Sequence, residues 1–456
     1  MTANSIESAI ITLGNELEGR LILPTDADYD QARTIVSNSA DKRPGVIVRV
    51  RTAGDVQRTI NTARDQEIEL AVRSGGHSGA GHSATEGGIV LDLRDMNAVE
   101  IDVGAKTAWV ETGATAGQVT TAAAAHGLVV GFGDTGSVGV GGITLGGGVG
   151  YLVRKWGLAI DSLLAAEVVT ADGLRLTADP DTNADLFWAI RGGGGNFGVA
   201  TRLKFRLHAL PAFTGGLMVL PATPDVVASF IAAAEAAPEE LSTICNVMPA
   251  PPLPFLPANV HGKLIVFSML AFAGDAAAAE RAIAPFRALG PIVDMVKPAP
   301  YASMFPPEDP NYHPMAAART MFMNRVDGPV AKTIVDTLSN ASASFAVVQL
   351  RVLGGAAAQV PADATAYAHR SSPIMVNLAA FYSPEDKSQQ EAWVDALAVS
   401  LRQDAAGAYV NFLGAESAER VRAAYPGKTW DRLQAVKAKY DPDNFFRLNQ
   451  NIAPAK

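Results

Sequence analysis

The spacing of apolar residues changes between two periods along the first part of the chain, which indicates strands that alternate with a helix. Residues 46–50 and 68–72 are short apolar runs of the kind that form buried strands. Between them, apolar residues recur at helical spacing over 55–66, and Thr52 can cap that helix. The pattern predicts a strand-helix-strand unit, and the loops of such units lie at one sheet edge, where cofactors tend to bind.

The next part of the chain has more strands and fewer helices. Apolar and polar residues alternate over 98–101 and 107–111, and an alanine-rich helix is predicted over 116–126. Such alternation favours an antiparallel sheet over a further doubly wound repeat. The first domain is therefore predicted to be α+β.

Prolines at positions 211, 221 and 224 mark a boundary, after which helices and strands alternate in a new pattern. We predict a second domain with an antiparallel sheet covered by helices. Its predicted helices are 224–237, 276–289 and 330–339, and its predicted strands are 264–271, 346–352 and 374–380. Helices are predicted near the end at 387–402 and 430–439. The predicted domains are 29–211, 212–404 and a C-terminal segment 405–456 that returns to the first domain.

Composition and charge exclude several classes of function. The chain has 456 residues and a net charge of -9 without basic clusters, which argues against a nucleic-acid partner. No apolar run is long enough to predict a membrane span. Cys245 is the only cysteine, so an internal disulfide and a cysteine-based zinc site are excluded. The N-terminus does not resemble a secretory signal, and we expect a cytoplasmic location.

The segment Arg73-Ser74-Gly75-Gly76-His77-Ser78 follows a predicted strand and contains the first candidate chemistry. Glycines let backbone N–H groups approach a pyrophosphate, and a histidine directly after them can reach the same ligand. The alternative is an ordinary turn histidine on a solvated loop. Two further glycine-rich segments favour the ligand interpretation.

The second of these segments, 131–150, has ten glycines in twenty residues, interleaved with aliphatic residues that a solvated linker would not need. The third, 192–198, formally contains G-x-G-x-x-G, but a helix is predicted before it and a strand after it. That order is the reverse of a nicotinamide-type dinucleotide site, which we therefore exclude. At the C-terminus, the amides of 449–451 lie between apolar residues and are expected to face a polar cofactor.

These segments resemble a known family. RSGGHS, SVGVGGITLGGGVG, DLFWAIRGGGGNFGVA and YDPDNFFRLNQN are similar to segments of the FAD-linked oxidases of the vanillyl-alcohol oxidase superfamily, in the berberine bridge enzyme-like branch. The resemblance implies a two-part FAD-binding domain of the PCMH type beside the substrate domain. It assigns cofactor binding to Arg73, Ser74, Gly75, Gly76, His77, Ser78, Thr135, Ser137, Val138, Gly139, Gly141, Gly142, Asn196, Gly198, Val199, Asn411 and Asn449.

The same resemblance implies that His77 is bonded to the 8α-methyl carbon of FAD. Thr135 stands where some relatives have a second linking cysteine, so a single attachment is expected. The position of Val138 lines the flavin face where oxygen reacts, and valine there accompanies oxidases. The alternative for Val138 is simple packing in a glycine-rich loop.

The implied reaction is hydride removal from a C–H carbon beside an amine or hydroxyl of a small organic substrate, with O2 as acceptor and H2O2 as product. Tyr409, Asn411 and Asn377 are the catalytic candidates. Tyr409 is either the base or a phenol that hydrogen-bonds the flavin. A dehydrogenase with another acceptor and a catalytically silent flavin-binding protein remain alternatives, and the oligomeric state is open.

Overall fold

The structure is a computed structural model that describes residues 3–37, 41–305, 307–309, 311–343, 345–403 and 407–455. Among the described helices, none has the length and apolar character needed to cross a bilayer. The predicted boundary between residues 404 and 405 falls outside the described residues. The three predicted domain ranges therefore stay a prediction.

Among the described residues up to position 209, eleven strands form two sheets and one small strand pair. They are β1 (Arg20–Ile22), β2 (Val46–Arg49), β3 (Leu70–Arg73), β4 (Ile89–Asp92), β5 (Val99–Asp102), β6 (Thr107–Glu111), β7 (Leu128–Val129), β8 (Leu163–Val169), β9 (Arg175–Ala178), β10 (Val199–Arg206) and β11 (His208–Ala209).

The first sheet has the order β1-β2-β4-β3, in which β4 pairs in parallel with both β2 and β3. The strand-helix-strand unit predicted from the sequence is thus confirmed, with β4 inserted between its two strands. The second sheet has the order β5-β6-β10-β8-β9 and is antiparallel throughout, as the alternating pattern predicted. The remaining strands, β7 and β11, pair with each other.

In the same described part of the chain, seven α-helices accompany these sheets. They are α1 (Ala3–Glu16), α2 (Tyr29–Arg33), α3 (Ala53–Asp65), α4 (Ala116–Ala124), α5 (Val140–Leu145), α6 (Val153–Trp156) and α7 (Ala184–Ile190). The Thr52 side chain accepts a hydrogen bond from the Asp55 N–H, so it caps α3 as predicted. Within the glycine-rich segment 131–150, a loop leads directly into α5.

An eight-stranded antiparallel sheet forms the second layer of the molecule. Its strands are β12 (Thr214–Pro221), β13 (Leu241–Pro249), β14 (Leu264–Phe272), β15 (Val293–Asp294), β16 (Lys297–Pro298), β17 (Ala316–Met323), β18 (Phe345–Val352) and β19 (Ile374–Phe381). The order is β15-β12-β14-β13-β18-β19-β17, and β16 pairs with β12. The later helices are α8 (Pro224–Ala236), α9 (Ala276–Arg287), α10 (Gly328–Ser339), α11 (Ala356–Gln359), α12 (Lys387–Leu401), α13 (Ala418–Ala423) and α14 (Lys428–Tyr440).

Helices α8, α9, α10 and α12 cover one face of this sheet. On β18, Val348 and Leu350 point into the shared apolar core, and on β19, Val376 and Leu378 do the same. Because successive strand residues face opposite sides, the intervening residues of both strands point away from the helices. The α+β class with a helix-covered antiparallel sheet is therefore confirmed.

Several elements were not predicted. The helix α1 was missed, as were the strands β12, β13 and β17. β13 is buried along both faces over most of its length, so its sequence lacks the alternation that identifies a half-buried strand. The short helix predicted from Tyr29 ends at Arg33, and Asn38, its predicted last residue, lies outside the described residues.

Candidate functional site

A cavity of about 360 Å³ lies where the glycine-rich loops meet. Its lining is drawn from parts of five segments, 74–78, 133–145, 193–200, 410–413 and 446–450, with further residues that include some of β3 and of the turn after it. Segments that are hundreds of residues apart in the sequence therefore converge on one space.

Most of the predicted cofactor-binding residues line this cavity. They are Ser74, Gly75, Gly76, His77, Ser78, Thr135, Val138, Gly139, Gly141, Gly142, Asn196, Gly198, Val199, Asn411 and Asn449. Two predicted residues are placed differently. Arg73 is buried and donates to the carbonyl oxygens of Ser83 and Ala32, so its side chain organises the chain below the loop. Ser137 lies behind the lining, in contact with His77.

Glycine is required where the first two loops touch. A Cβ on Gly75 would lie 2.3 Å from the Gly139 nitrogen, and a Cβ on Gly139 would lie 2.2 Å from the Gly75 nitrogen. Gly76 adopts a φ of 77°, which favours glycine. By contrast, a Cβ on Gly142 or Gly195 would meet nothing within 4 Å and would project into open space. The loops thus press against each other while leaving a smooth backbone surface toward the cavity.

His77 is held from behind by two residues. Its Nε2 lies 2.8 Å from the Ser137 Oγ, and the Ser137 hydroxyl and backbone N–H both donate to the carboxylate of Glu308. Burial lowers the pKa of the His77 imidazole, and the Glu308 charge opposes that shift. The lowered pKa favours the neutral form of the His77 imidazole.

Tyr409 and Asn411 connect the C-terminal segment to the second glycine-rich loop. The Tyr409 oxygen accepts from Gly148 N–H at 3.0 Å, from Val149 N–H at 3.3 Å and from Asn411 Nδ2 at 3.0 Å. Burial raises the pKa of the Tyr409 phenol, and hydrogen bonds from Asn411, Gly148 and Val149 oppose the shift. Asn411 lines the cavity, whereas Tyr409 is buried beside it and is not part of the lining.

The face of the eight-stranded sheet that the helices do not cover lies toward the loops and carries a row of polar residues. The strand register aligns Asn246, Gln349, Asn377 and Thr320 across β13, β18, β19 and β17. The Gln349 Nε2 donates to the Asn246 Oδ1 at 2.9 Å. Within the described part of the chain, the buried Asn377 Oδ1 has no hydrogen-bond partner, and Asn377 is not part of the cavity lining.

Arg351 joins this sheet face to the cavity and was not identified from the sequence. Its guanidinium donates to Asp134 Oδ2 at 2.6 Å, to the Val149 carbonyl at 3.1 Å and to the Gln349 Oε1. It also lies 5.1 Å from the centre of the Phe412 ring. No local motif marks Arg351, because its acidic partner is 217 residues away in the sequence.

The C-terminal segment is fastened to the third glycine-rich loop. The Asn196 Nδ2 donates to the Gln450 carbonyl at 3.1 Å, and the buried Lys437 ammonium donates to the Asn196 carbonyl at 2.8 Å. Of the described groups, none bonds the buried Asn449 Oδ1, although Asn449 lines the cavity. Asn449 is thus suited to meeting a polar ligand, and its role in cofactor binding stays a prediction.

Comparisons with known proteins agree with this geometry. A family model described as an FAD binding domain matches residues 44–179, and one described as berberine and berberine like matches 408–453. The (R)-6-hydroxynicotine oxidase of Paenarthrobacter nicotinovorans is 32% identical, with 96% of this chain and 97% of that protein covered. The chain belongs to the FAD-linked oxidoreductases of the berberine bridge enzyme-like family. A second relative of this oxidoreductase, YgaK of Bacillus subtilis, is 30% identical, with 97% of this chain and 98% of that protein covered.

Solved structures give the same result for the fold of this FAD-linked oxidoreductase. The crystal structure of 6-hydroxy-D-nicotine oxidase from Arthrobacter nicotinovorans matches with a TM-score of 0.84 and 29% identity, covering 96% of this chain and 98% of that one. A berberine bridge enzyme-like protein of Physcomitrella patens matches with a TM-score of 0.86 at 23% identity, and covers 99% of both chains. The predicted family is therefore confirmed.

The residues present fit FAD. Open backbone at Gly142 and Gly195 can receive a flat ring and a phosphate chain, and Asn449 offers a buried acceptor that no group of the described residues bonds. Ser74, Gly75 and Gly76 stand at the carboxyl end of β3, the sheet edge at which such units bind cofactors. The oxidoreductase thus carries an FAD site between its loops and its C-terminal segment.

Proposed function

We propose that this enzyme is an oxidase that removes a hydride from a C–H carbon next to an amine or hydroxyl of a small organic substrate. O2 takes up the electrons and becomes H2O2. The observation that carries the proposal is the convergence of three glycine-rich loops, His77 and Asn411 on one cavity. Relatives named as oxidases, including (R)-6-hydroxynicotine oxidase, support it. Bound FAD supplies the redox chemistry, because its ring accepts a hydride.

The proposal includes a single covalent tether at His77. The imidazole lines the cavity in its neutral form, with one nitrogen bonded to Ser137. Thr135 lines the cavity where a second linking sulfur would be needed, and a hydroxyl cannot readily form that bond. The Cys245 thiol is fully buried in β13 and burial raises its pKa, so it is an unreactive structural group.

The polar row of the sheet favours a substrate that needs no strong base. Asn377, Gln349 and Asn246 are amides, and the carboxylate of Asp134 is neutralised by Arg351. Because burial outweighs the opposing hydrogen bonds at Tyr409, its phenol stays neutral and acts as a hydrogen-bonding group in the resting protein. An unprotonated amine already has the lone pair that assists hydride loss. Amines are therefore favoured over alcohols.

Val138 supports O2 as the acceptor. It lines the cavity and is only partly buried, and we expect its small side chain to leave room for O2 beside bound FAD. A structural neighbour illustrates how one aliphatic group can matter. A grass pollen allergen has glucose dehydrogenase activity, and an isoleucine-to-valine variant of it is a glucose oxidase. We expect Val138→Leu to lower the rate of reaction with O2 by about tenfold while hydride removal with an artificial acceptor is retained.

The test is a panel of small amines and alcohols given to the purified, yellow protein. The expected result is O2 consumption with an equal amount of H2O2 for at least one amine. Turnover only with an artificial acceptor would instead identify a dehydrogenase. Flavin that no substrate in the panel reduces would indicate a silent flavin-binding protein.

A further inference from the structure

A buried ammonium lies where the C-terminal segment meets the third glycine-rich loop. Lys437 is in the last turn of α14, and its side chain is 0% exposed. Its Nζ donates to Asp441 Oδ2 at 2.6 Å, to the Asn196 carbonyl at 2.8 Å and to the Phe446 carbonyl at 2.9 Å. An ammonium has three N–H donors, so all of them are used. The three acceptors belong to the end of α14, the third loop and the C-terminal segment.

Residues 441–452, which we name the strap, connect two apolar cores of the molecule. Phe446 is 3% exposed in the core around the first sheet, and Ile452 is 0% exposed in the core around the second sheet. Between these two anchors, residues 448–450 line the cavity. The strap therefore forms one wall of the cofactor site.

Side-chain hydrogen bonds hold the strap in place. All of residues 441–452 are described, and they form no helix or strand. The Asp441 carboxylate accepts from the Phe445 N–H at 2.7 Å and from the Phe446 N–H at 2.9 Å, and Asn196 Oδ1 accepts from the Ile452 N–H at 3.0 Å. A segment held in this way opens at a lower cost in free energy than a strand paired within a sheet. We therefore expect the strap to open without unfolding of the sheets.

Asn449 is the strap residue that offers a polar atom to the cavity. Its Nδ2 donates to the Phe446 carbonyl at 2.9 Å and to the Gly195 carbonyl at 3.4 Å. Because the donors of this amide face the backbone, its Oδ1 remains as an acceptor, and no described group bonds it. The Phe446 carbonyl also accepts from Lys437, so one strap carbonyl holds both the ammonium and the amide. Displacement of the strap would move this acceptor away from the cavity.

We propose that Lys437 is a positioning residue of the cofactor site, whose ammonium bridges the strap to the third glycine-rich loop and so couples closure of the strap to FAD binding. The inference rests on the FAD site and is independent of how FAD is attached. Lys437 is not part of the cavity lining, so it acts on a bound ligand through Asn196 and the strap. A ligand that contacts the closed strap favours closure, and by linkage the closed strap binds that ligand more tightly.

Amide hydrogen exchange measures the opening of the strap, because its N–H groups at Phe445, Phe446 and Ile452 exchange only when these hydrogen bonds break. The exchange is followed by mass spectrometry of peptides that cover the strap, with peptides of β14 as the internal reference. Flavin-free protein is prepared in the His77→Ala background, which removes the proposed attachment point and lets FAD bind reversibly. We expect FAD to slow exchange of the strap by about tenfold and to leave β14 unchanged.

The test variant combines Lys437→Met with Asp441→Asn in the same background. Lys437→Met alone would leave the Asp441 carboxylate buried without its partner, which is strongly destabilising. The double variant removes both charges together. We expect its strap to exchange about tenfold faster in the flavin-free protein, and its affinity for FAD, measured by quenching of flavin fluorescence, to fall about tenfold. Exchange of β14 should stay slow.

The matched control is Lys439→Met, which removes an ammonium two residues away on the same helix. The Lys439 side chain is 58% exposed and pairs with Asp185 at 2.7 Å. Because this pair does not touch the strap, neither the exchange of the strap nor the affinity for FAD should change. A general effect of losing one positive charge from α14 would appear in this control.

Equal exchange of the strap with and without FAD would overturn the coupling even where FAD binds. In the double variant, strap exchange or FAD affinity equal to that of Lys439→Met would overturn the role of Lys437. Faster exchange of β14 together with the strap would show a loss of global stability, and would overturn the local role as well. Failure of the unaltered flavin-free protein to take up FAD would instead overturn the FAD site itself, so the two failures are distinguishable.

Discussion

The cofactor side and the sheet side of the site differ in the kind of protein group that forms them. The cofactor side is backbone, held at close approach by glycines such as Gly75 and Gly139. The sheet side is a row of polar side chains contributed by strands that are distant in sequence, among them Asn377 and Arg351. A backbone surface suits close packing against FAD, whereas a surface made of side chains can be altered one residue at a time.

The largest effect we expect comes from Gly139→Ala, which breaks the cofactor side itself. The added methyl would lie 2.2 Å from the Gly75 nitrogen, where neither backbone can yield. We expect a loss of about 3 kcal/mol in the free energy of unfolding and no bound flavin. Urea unfolding and the absorbance of the purified protein measure both effects.

Gly142→Ala is the matched comparison. Its methyl would project into the open cavity from within α5, so the flavin-free protein should be as stable as the original or slightly more stable. Affinity for FAD should nevertheless fall. Gly79→Ala, at an exposed glycine with nothing within 4 Å, should change neither property. Equal stability of Gly139→Ala and Gly142→Ala would contradict the role of the loop contact.

The same contrast explains what could be predicted from the sequence. Glycines and His77 are local signals, because a left-handed φ or a close backbone approach restricts the residue type at one position. Their convergence on the cavity was expected from the family resemblance. The side chain of Arg73 belongs to the same motif, yet it turns to the carbonyls of Ala32 and Ser83, which no local pattern indicates.

The sheet side could not be predicted in the same way. Arg351 and Glu308 act through partners 217 and 171 residues away, and such pairs depend on strand register and loop packing rather than on spacing. Three of the strands that carry or support this face were missed, since burial on both faces or runs of alanine hide the period of two. The class of the domain was nevertheless clear from its helices and its more regular strands.

The second prediction concerns the ion pair that links the two sides. The Arg351 side chain is 5% exposed and that of Asp134 is 27% exposed. Arg351→Met should lower the free energy of unfolding by about 2–3 kcal/mol, because Asp134 is left partly buried without its partner. Asp134→Asn should have a smaller effect, and the double variant should recover part of the loss.

A double-mutant cycle in urea should give a coupling energy of about 1–2 kcal/mol for this pair. FAD should remain bound in all three variants, because the substitutions leave the backbone of the glycine-rich loops unchanged. Additive effects of the two substitutions would show that the pair does not connect the sheet to the cofactor side. The surface pair Lys332 and Asp336, which lies on α10 away from the cavity, provides the control cycle and should couple weakly.

The smallest effect we expect is a pH dependence at a second link between the two sides. His369 stacks on Phe322 of β17 with centroids 4.5 Å apart, and its Nε2 lies 3.1 Å from the Ala424 carbonyl in the C-terminal segment. Burial lowers the pKa of His369 to about 4, and the hydrogen bond to Ala424 opposes that shift. The unfolded chain therefore binds this proton first as the pH falls.

The sign follows from that order of protonation. The contribution of neutral His369 to the free energy of unfolding is complete above its unfolded pKa of about 6.5. This contribution is lost as the pH falls toward the folded pKa. Between pH 7 and pH 5, His369 should account for a loss of up to about 2 kcal/mol in the free energy of unfolding. His369→Gln keeps a donor for Ala424 but loses the stacking on Phe322, so the variant should be less stable at pH 7. Because glutamine cannot titrate, the variant should also lose less stability on acidification. The control is His126→Gln at an exposed histidine, which should keep the full slope of the free energy of unfolding against pH. The same slope in His369→Gln would show that His369 does not take up a proton on unfolding.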